Sequence, residues 1–200
     1  MGSDLSAPLL QVIRKLQQTP TKGEASRIKR RFANATDAVA VVCDVSPSML
    51  DTIGSYDLRK WDQLRIALAD VYLGFPGIHV IAFGSYVRKI AALAELPAGG
   101  ALGGSTNMAA AIQAAAELKP RKTIIISDGL PDSTTLAQQE AEAMTGAISA
   151  IYCGPEGHPG AEFLYGLARM SGGRGVVWEG REALTGVVRN LLAAPAAAQQ

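Results

Sequence analysis

Three short segments carry the side chains with chemistry to offer. Asp44-Val45-Ser46-Pro47-Ser48-Met49 is an Asp-x-Ser-x-Ser run, Gly103-Gly104-Ser105-Thr106-Asn107-Met108 is glycine-rich, and Ser127-Asp128-Gly129 closes a run of isoleucines. Brought together, they would present the hydroxyls of Ser46, Ser48 and Thr106 beside the carboxylates of Asp44 and Asp128. Hard oxygen donors of this kind suit Mg²⁺ or Mn²⁺ in octahedral geometry, with Ca²⁺ also accommodated, and do not suit zinc or copper. Two carboxylates roughly neutralise a divalent ion, and the donors on offer leave at least one coordination position for water or an incoming ligand. An anionic ligand is then favoured, above all the Asp or Glu of a partner protein. The glycines let the backbone bend close to the ion. Taken singly, each of these residues is also an ordinary turn or helix-cap residue.

The elements that would position these segments follow from hydrophobic periodicity. From Ala38 onward, apolar runs of strand length alternate with longer segments whose apolar residues recur every three to four positions, the mark of an α/β sheet. Strands are expected at 38–43, 78–83, 123–126, 148–153 and 175–178, mostly unbroken by charge, as in strands covered on both faces. A weaker one at 86–91 follows the second after only Gly84 and Ser85, which suits a hairpin and one antiparallel edge strand. Helical stripes are Trp61, Leu64, Leu68, Val71 and Tyr72, then Met108, Ala111, Ile112, Ala115 and Leu118, then Phe163, Leu164, Leu167 and Met170, then Leu184, Val187, Val188, Leu191 and Leu192. A weaker helix over 133–145 should start from a cap at Asp132 or Ser133, and Gly172-Gly173 should end the helix before the last strand. Each of the three segments thus stands after a strand or at the start of a helix. In an open parallel sheet the carboxyl ends of the strands share one edge, where ligands bind, so loops distant in sequence can meet there.

With the motifs placed, the chain resembles the von Willebrand factor A domains, whose metal-ion-dependent adhesion site is Asp-x-Ser-x-Ser followed by a separate Thr and a separate Asp. The match is Asp44, Ser46 and Ser48, then Thr106, then Asp128. It extends over 37–192, with 80–85 resembling the family's second strand, 124–129 its fourth, and 167–173 the segment before its last. The resemblance implies a three-layer α/β/α, doubly wound, mostly parallel sheet of strand order 3-2-1-4-5-6. It also implies direct metal contact from the serines and threonine, with the aspartates often acting through water. Pro47 stands where the family often has Gly. Ser105, between the double glycine and Thr106, leaves two candidates for one oxygen, and Thr106 is preferred because Asn107-Met108 keeps the usual step into the helix. Intracellular bacterial members often work beside an ATPase or within operon-encoded complexes, an association that the residues themselves do not specify.

The rest of the sequence bounds this reading. The 200 residues suffice for one sizeable core, and 19 Lys plus Arg against 18 Asp plus Glu give a net charge of +1, too small a field to favour nucleic acid or an anionic membrane. Residues 1–18 mix Asp4, Arg14 and Lys15 with short apolar stretches, unlike a signal peptide, and no run approaches the ~20 apolar residues of a membrane span, so a cytoplasmic location is expected. Residues 1–36 read as a helical arm with a basic cluster at Arg27, Lys29, Arg30 and Arg31, residues 37–193 as the domain, and 194–200 as a fraying tail. Cys43 and Cys153 are expected as buried thiols, and His79 as a core histidine. His158 in the loop 154–160, with Met49, Tyr56 and Ser105, is expected to form a partner-binding rim around the metal, although packing or turn duty is the simpler role for each. Two other classes compete with a binding module. A magnesium-dependent phosphohydrolase would use Asp44 as nucleophile, but Ser46 stands where its second carboxylate should be. A structural or assembly domain would need no metal.

Overall fold

The computed structural model describes residues 35–54, 58–75 and 77–194. The arm up to residue 34, Tyr56, Asp57 and the last six residues lie outside the described residues. Among those described, six strands form one sheet: β1 (Val39–Asp44), β4 (Ile78–Phe83), β5 (Val87–Ile90), β6 (Lys122–Ser127), β7 (Ala147–Cys153) and β8 (Gly175–Trp178), in the order β5-β4-β1-β6-β7-β8. All pairings are parallel except β4 with β5. This is the expected order, with the antiparallel strand at the expected edge.

The apolar runs are continuous because both faces of the sheet are covered. Successive side chains on a strand point to opposite faces. Val41 and Cys43 of β1, with Ile124 and Ile126 of β6, pack under α1 (Lys60–Gly74) and α5 (Leu184–Ala193), against Leu64, Leu68, Val71, Leu184 and Val188. Ala40, Val42 and Ile125 face the other way, onto α2 (Met108–Ala116), α3 (Thr134–Ala143) and α4 (Pro159–Ser171), through Met108, Ile112, Ala137 and Leu164. Ser133 caps α3, its Oγ accepting from Leu136 N at 3.3 Å, and Gly172 ends α4 with φ +78°, a conformation that glycine adopts without a side-chain penalty.

One expectation is corrected: His79 is exposed, not a core histidine. β5 pairs only with Val80 to Phe83, so the first two residues of β4 overhang the edge strand. Cys43 and Cys153 are buried free thiols, as expected. The short antiparallel pair β2 (Thr52–Ile53) and β3 (Leu58–Arg59) has two residues per strand, too few for a periodicity to show. It matters nonetheless, because it folds the chain back so that Lys60, the first residue of α1, donates its backbone N–H to Asp51 O at 3.1 Å. None of the described helices is long and apolar enough to cross a membrane.

The strand order reverses at β1. The connection out of β1 leads to β4 on one side, while the chain returns through α2 to β6 on the other. The carboxyl ends of β1 and β6 therefore flank a crevice at the switch point. The loop bearing Thr106 is held over this crevice by Gly84: Gly84 O accepts from Asn107 N at 2.9 Å, and a Cβ there would stand 2.9 Å from Leu102 O and 3.0 Å from Gly103 O. Gly84→Ala is expected to lower stability by about 1–3 kcal/mol, because rigid backbone must move to admit the methyl group. Gly104→Ala, with nothing within 4 Å of the new carbon, should stay within about 0.5 kcal/mol of wild type. Thermal or urea unfolding of the two variants side by side measures the difference.

Candidate metal and docking site

Asp44 ends β1 at the floor of the crevice, with no exposed surface. Its carboxylate is fixed on both sides, Oδ1 accepting from Ser46 N at 2.8 Å and Oδ2 from Ser127 Oγ at 2.7 Å. Burial holds this carboxyl above the ordinary carboxylate range and the nearby Asp128 pushes the same way, while the hydrogen bonds from Ser127 and Ser46 oppose the shift. A negative charge here is costly unless a positive one is close.

Above Asp44 the chain makes a 3-10 turn over Pro47–Leu50, closed by Met49 N to Ser46 O at 3.1 Å and Asp51 N to Ser48 O at 3.0 Å. Pro47 is the first residue of that turn, where its fixed φ suits the conformation and its missing N–H leaves no bond unmade. The turn brings Ser46 Oγ within 3.0 Å of Ser48 Oγ, and Ser48 Oγ donates to Asp128 Oδ1 at 2.8 Å. Asp44, Ser46, Ser48 and Asp128 thus form one hydrogen-bonded chain, through the Ser46 N–H at the buried floor and through the two serine hydroxyls at the exposed mouth. Thr106 borders it. Its backbone is tied to the β6–α3 loop by Thr106 N to Asp132 Oδ1 at 2.9 Å and Asp132 N to Thr106 O at 3.0 Å. Its Oγ1 faces Gly129, where an added Cβ would lie 4.0 Å away, and has no hydrogen-bond partner among the described residues.

This donor set fits a hard divalent cation. Adjacent ligands on an octahedral Mg²⁺ stand about 3.0 Å apart, given its bond length of about 2.1 Å, and the Ser46–Ser48 and Ser48–Asp128 pairs have that spacing. No three His, Cys, Asp or Glu side chains among the described residues gather as a metal group, so a cation here would depend on hydroxyls.

The expected rim fares differently. Met49 is fully buried, packed into the core beneath the 3-10 turn, and offers no surface to a partner. Ser105 is half-buried and turned away from the other hydroxyls, its N–H and its Oγ both 3.1 Å from Ser85 Oγ. Tyr56 lies outside the described residues. His158 is exposed but engaged: it caps α4, Nδ1 accepting from Gly160 N at 3.1 Å, and its ring stacks on Tyr152 with centroids 5.4 Å apart. Tyr152 is buried beside Ser127 in the register of β7 on β6, and burial, the Asp128 charge and Cys153 push its phenol up to about 12.

Two residues of the site carry no signal in the sequence. Ser127, which anchors Asp44, reads as the polar end of an isoleucine strand. Lys60 reads as a solvated residue at a helix start, yet its Nζ reaches back over the crevice to Asp128 Oδ2 at 2.6 Å and Ser48 O at 3.2 Å. The side chains of this ion pair are 12 % and 2 % exposed.

No protein-family model matches the sequence, and no curated protein does. Solved structures do. An aerotolerance-related membrane protein from Bacteroides fragilis is similar at a TM-score of 0.59 and 13 % identity, over 78 % of this chain and 97 % of its own. The SpRpn10 VWA domain is similar at 0.54 and 15 %, over 77 % and 94 %. Proximal thread matrix protein 1 from the mussel byssus is similar at 0.57 and 16 %, over 79 % of this chain and 48 % of its own. Together with the strand order and the crevice at its switch point, these likenesses establish that the chain has the von Willebrand factor A fold.

Proposed function

We propose that this domain is a protein-interaction module without catalytic chemistry, holding a divalent cation at Asp44, Ser46, Ser48, Thr106 and Asp128 and docking a partner's Asp or Glu there. The observation that carries the proposal is the hydrogen-bonded chain from Asp44 through the Ser46 N–H and the Ser46 and Ser48 hydroxyls to Asp128, drawn from two strand ends and bordered by a Thr106 hydroxyl that has no hydrogen-bond partner among the described residues. Mg²⁺ is the first choice for such donors, with Mn²⁺ and Ca²⁺ close behind. Bound there, the ion would supply an electrophilic position for a carboxylate. The chain's part is to hold the hydroxyls in place, to bury a compensating charge at Asp44 and to keep Ser48 at the mouth. The similar structures support the choice of class, one being a VWA domain and another a matrix protein of the byssal thread.

Attack of Asp44 on the phosphorus of a phosphoester fits poorly, because both of its oxygens are hydrogen-bonded and its side chain has no exposed surface. A metal-independent assembly role is the second reading. It is favoured by one observation, the Lys60 ammonium already placed on Asp128.

Mg²⁺ or Mn²⁺ at about 100 times its dissociation constant should stabilise the domain by ~2.7 kcal/mol, a rise in Tm of about 5–10 °C for a chain of this size. Asp44→Ala and Thr106→Ala should abolish the rise. An unchanged melting curve and no heat on titrating metal into wild-type protein would overturn the metal reading.

A second prediction uses the sign of the Asp44 shift. With its carboxyl held above the ordinary range, the folded state binds that proton more tightly than the unfolded state does. In chelator, this contribution to stability is therefore present at low pH and lost as pH rises through the folded value. Asp44→Asn removes the charge and keeps the shape, so in chelator at pH 7 it should melt above wild type. That advantage should shrink toward pH 4. A deficit equal at both pH values would contradict the assignment.

A further inference from the structure

The ion pair of Lys60 with Asp128 has a consequence for how the crevice would take its cation. Lys60 is fixed by its place in the fold: β2 and β3 fold the chain back, Asp51 O receives its backbone N–H, and α1 runs away into the core through Trp61 and Leu64. Its ammonium bridges the 3-10 turn at Ser48 O to the β6–α3 loop at Asp128 Oδ2. It joins two of the three segments that would surround a metal.

We infer that Lys60 is a built-in counter-cation, competing with the divalent ion for Asp128 and leaving the loaded crevice with a net positive charge. This rests on the proposed metal site. Asp44 and Asp128 contribute two negative charges and Lys60 one positive, so the crevice presents one net negative charge to an arriving metal instead of two. With a divalent ion added, the cluster carries one net positive charge, whereas without Lys60 it would be neutral. The lysine thus weakens metal binding on its own and strengthens the preference for an anionic sixth ligand, which couples loading of the metal to arrival of a partner's carboxylate. Two cations within a few ångströms of one carboxylate repel at a low effective dielectric, and the cost is far above RT.

The test compares Mg²⁺ affinity by isothermal titration for the full chain as wild type, Lys60→Met and Lys60→Gln, with the metal-induced rise in Tm as a second readout. Gln is included because it can still donate to Asp128, which keeps a folded, uncharged control should Met leave that carboxylate too exposed to repulsion from Asp44. Both variants are expected to melt below wild type in chelator. Both should bind Mg²⁺ at least about tenfold more tightly and show a larger metal-induced rise. Tight binding by the variants with none by wild type upholds the inference and moves the wild-type protein to the metal-independent reading. Equal or weaker binding by variants of a wild type that itself binds metal overturns the inference and leaves the metal site standing. Absence of binding in all three proteins overturns both.

Discussion

Two carboxylates at the ends of neighbouring strands cannot face one crevice unless positive charge stands between or beside them. That constraint organises this protein. Asp44 has no contact with solvent, and Asp128 is nearly as enclosed, so water cannot screen either charge. The fold answers locally with hydrogen bonds from Ser46 N and Ser127 Oγ to Asp44, and with the Lys60 ammonium on Asp128. These interactions reduce the cost of burying the carboxylates, and the hydroxyls beside them supply the donors that a divalent cation would use.

The placement of that charge follows from topology. A doubly wound sheet reverses direction once, here between β1 and β6, and the loops after those two strands must part to opposite faces. What remains between them is a crevice whose floor is the last residue of β1. The third segment, between β5 and α2, reaches the same edge because Gly84 and Gly103 allow it to cross close over the end of β4: Gly103 has φ +90°, and a Cβ on it would strike Ser85. Asp132 then holds Thr106 by its backbone, and the Thr106 hydroxyl has no hydrogen-bond partner among the described residues. The apolar layers on either face serve this edge by making the strand ends rigid, since every residue from Ala40 to Cys43 is fully buried.

Much of this was legible in the residues. Strands buried on both faces give unbroken apolar runs, and the five main strands and the antiparallel edge lie where those runs predict, within a residue or so at each end. The Asp-x-Ser-x-Ser run, Thr106 and Asp128 are visible only as a set, because each alone is an ordinary turn or cap residue while the three pieces in order resemble one family's pattern. What escaped the sequence shares one physical cause, dependence on contacts between distant segments. Lys60 has the type and position of a surface residue, and only the two-residue strands before it turn its side chain back to Asp128. Met49 follows the motif directly and reads either as rim or as local packing, and the 3-10 turn, which rotates it inward to the core, decides for packing. His79 sits in an apolar strand, but that strand is longer than its edge partner, and the overhang exposes it. His158 was legible as a residue of the right edge, and its stacking on Tyr152 was not.

The proposed cation would be shared by side chains from three separate segments. Anomalous diffraction from crystals grown with Mn²⁺ tests it most directly, because it locates the metal without reference to affinity. A single strong peak is expected in the crevice, bonded to Ser46 Oγ, Ser48 Oγ and Thr106 Oγ1, with Asp44 and Asp128 close by. A crevice without a peak at saturating Mn²⁺, with Lys60 still paired to Asp128, would contradict it.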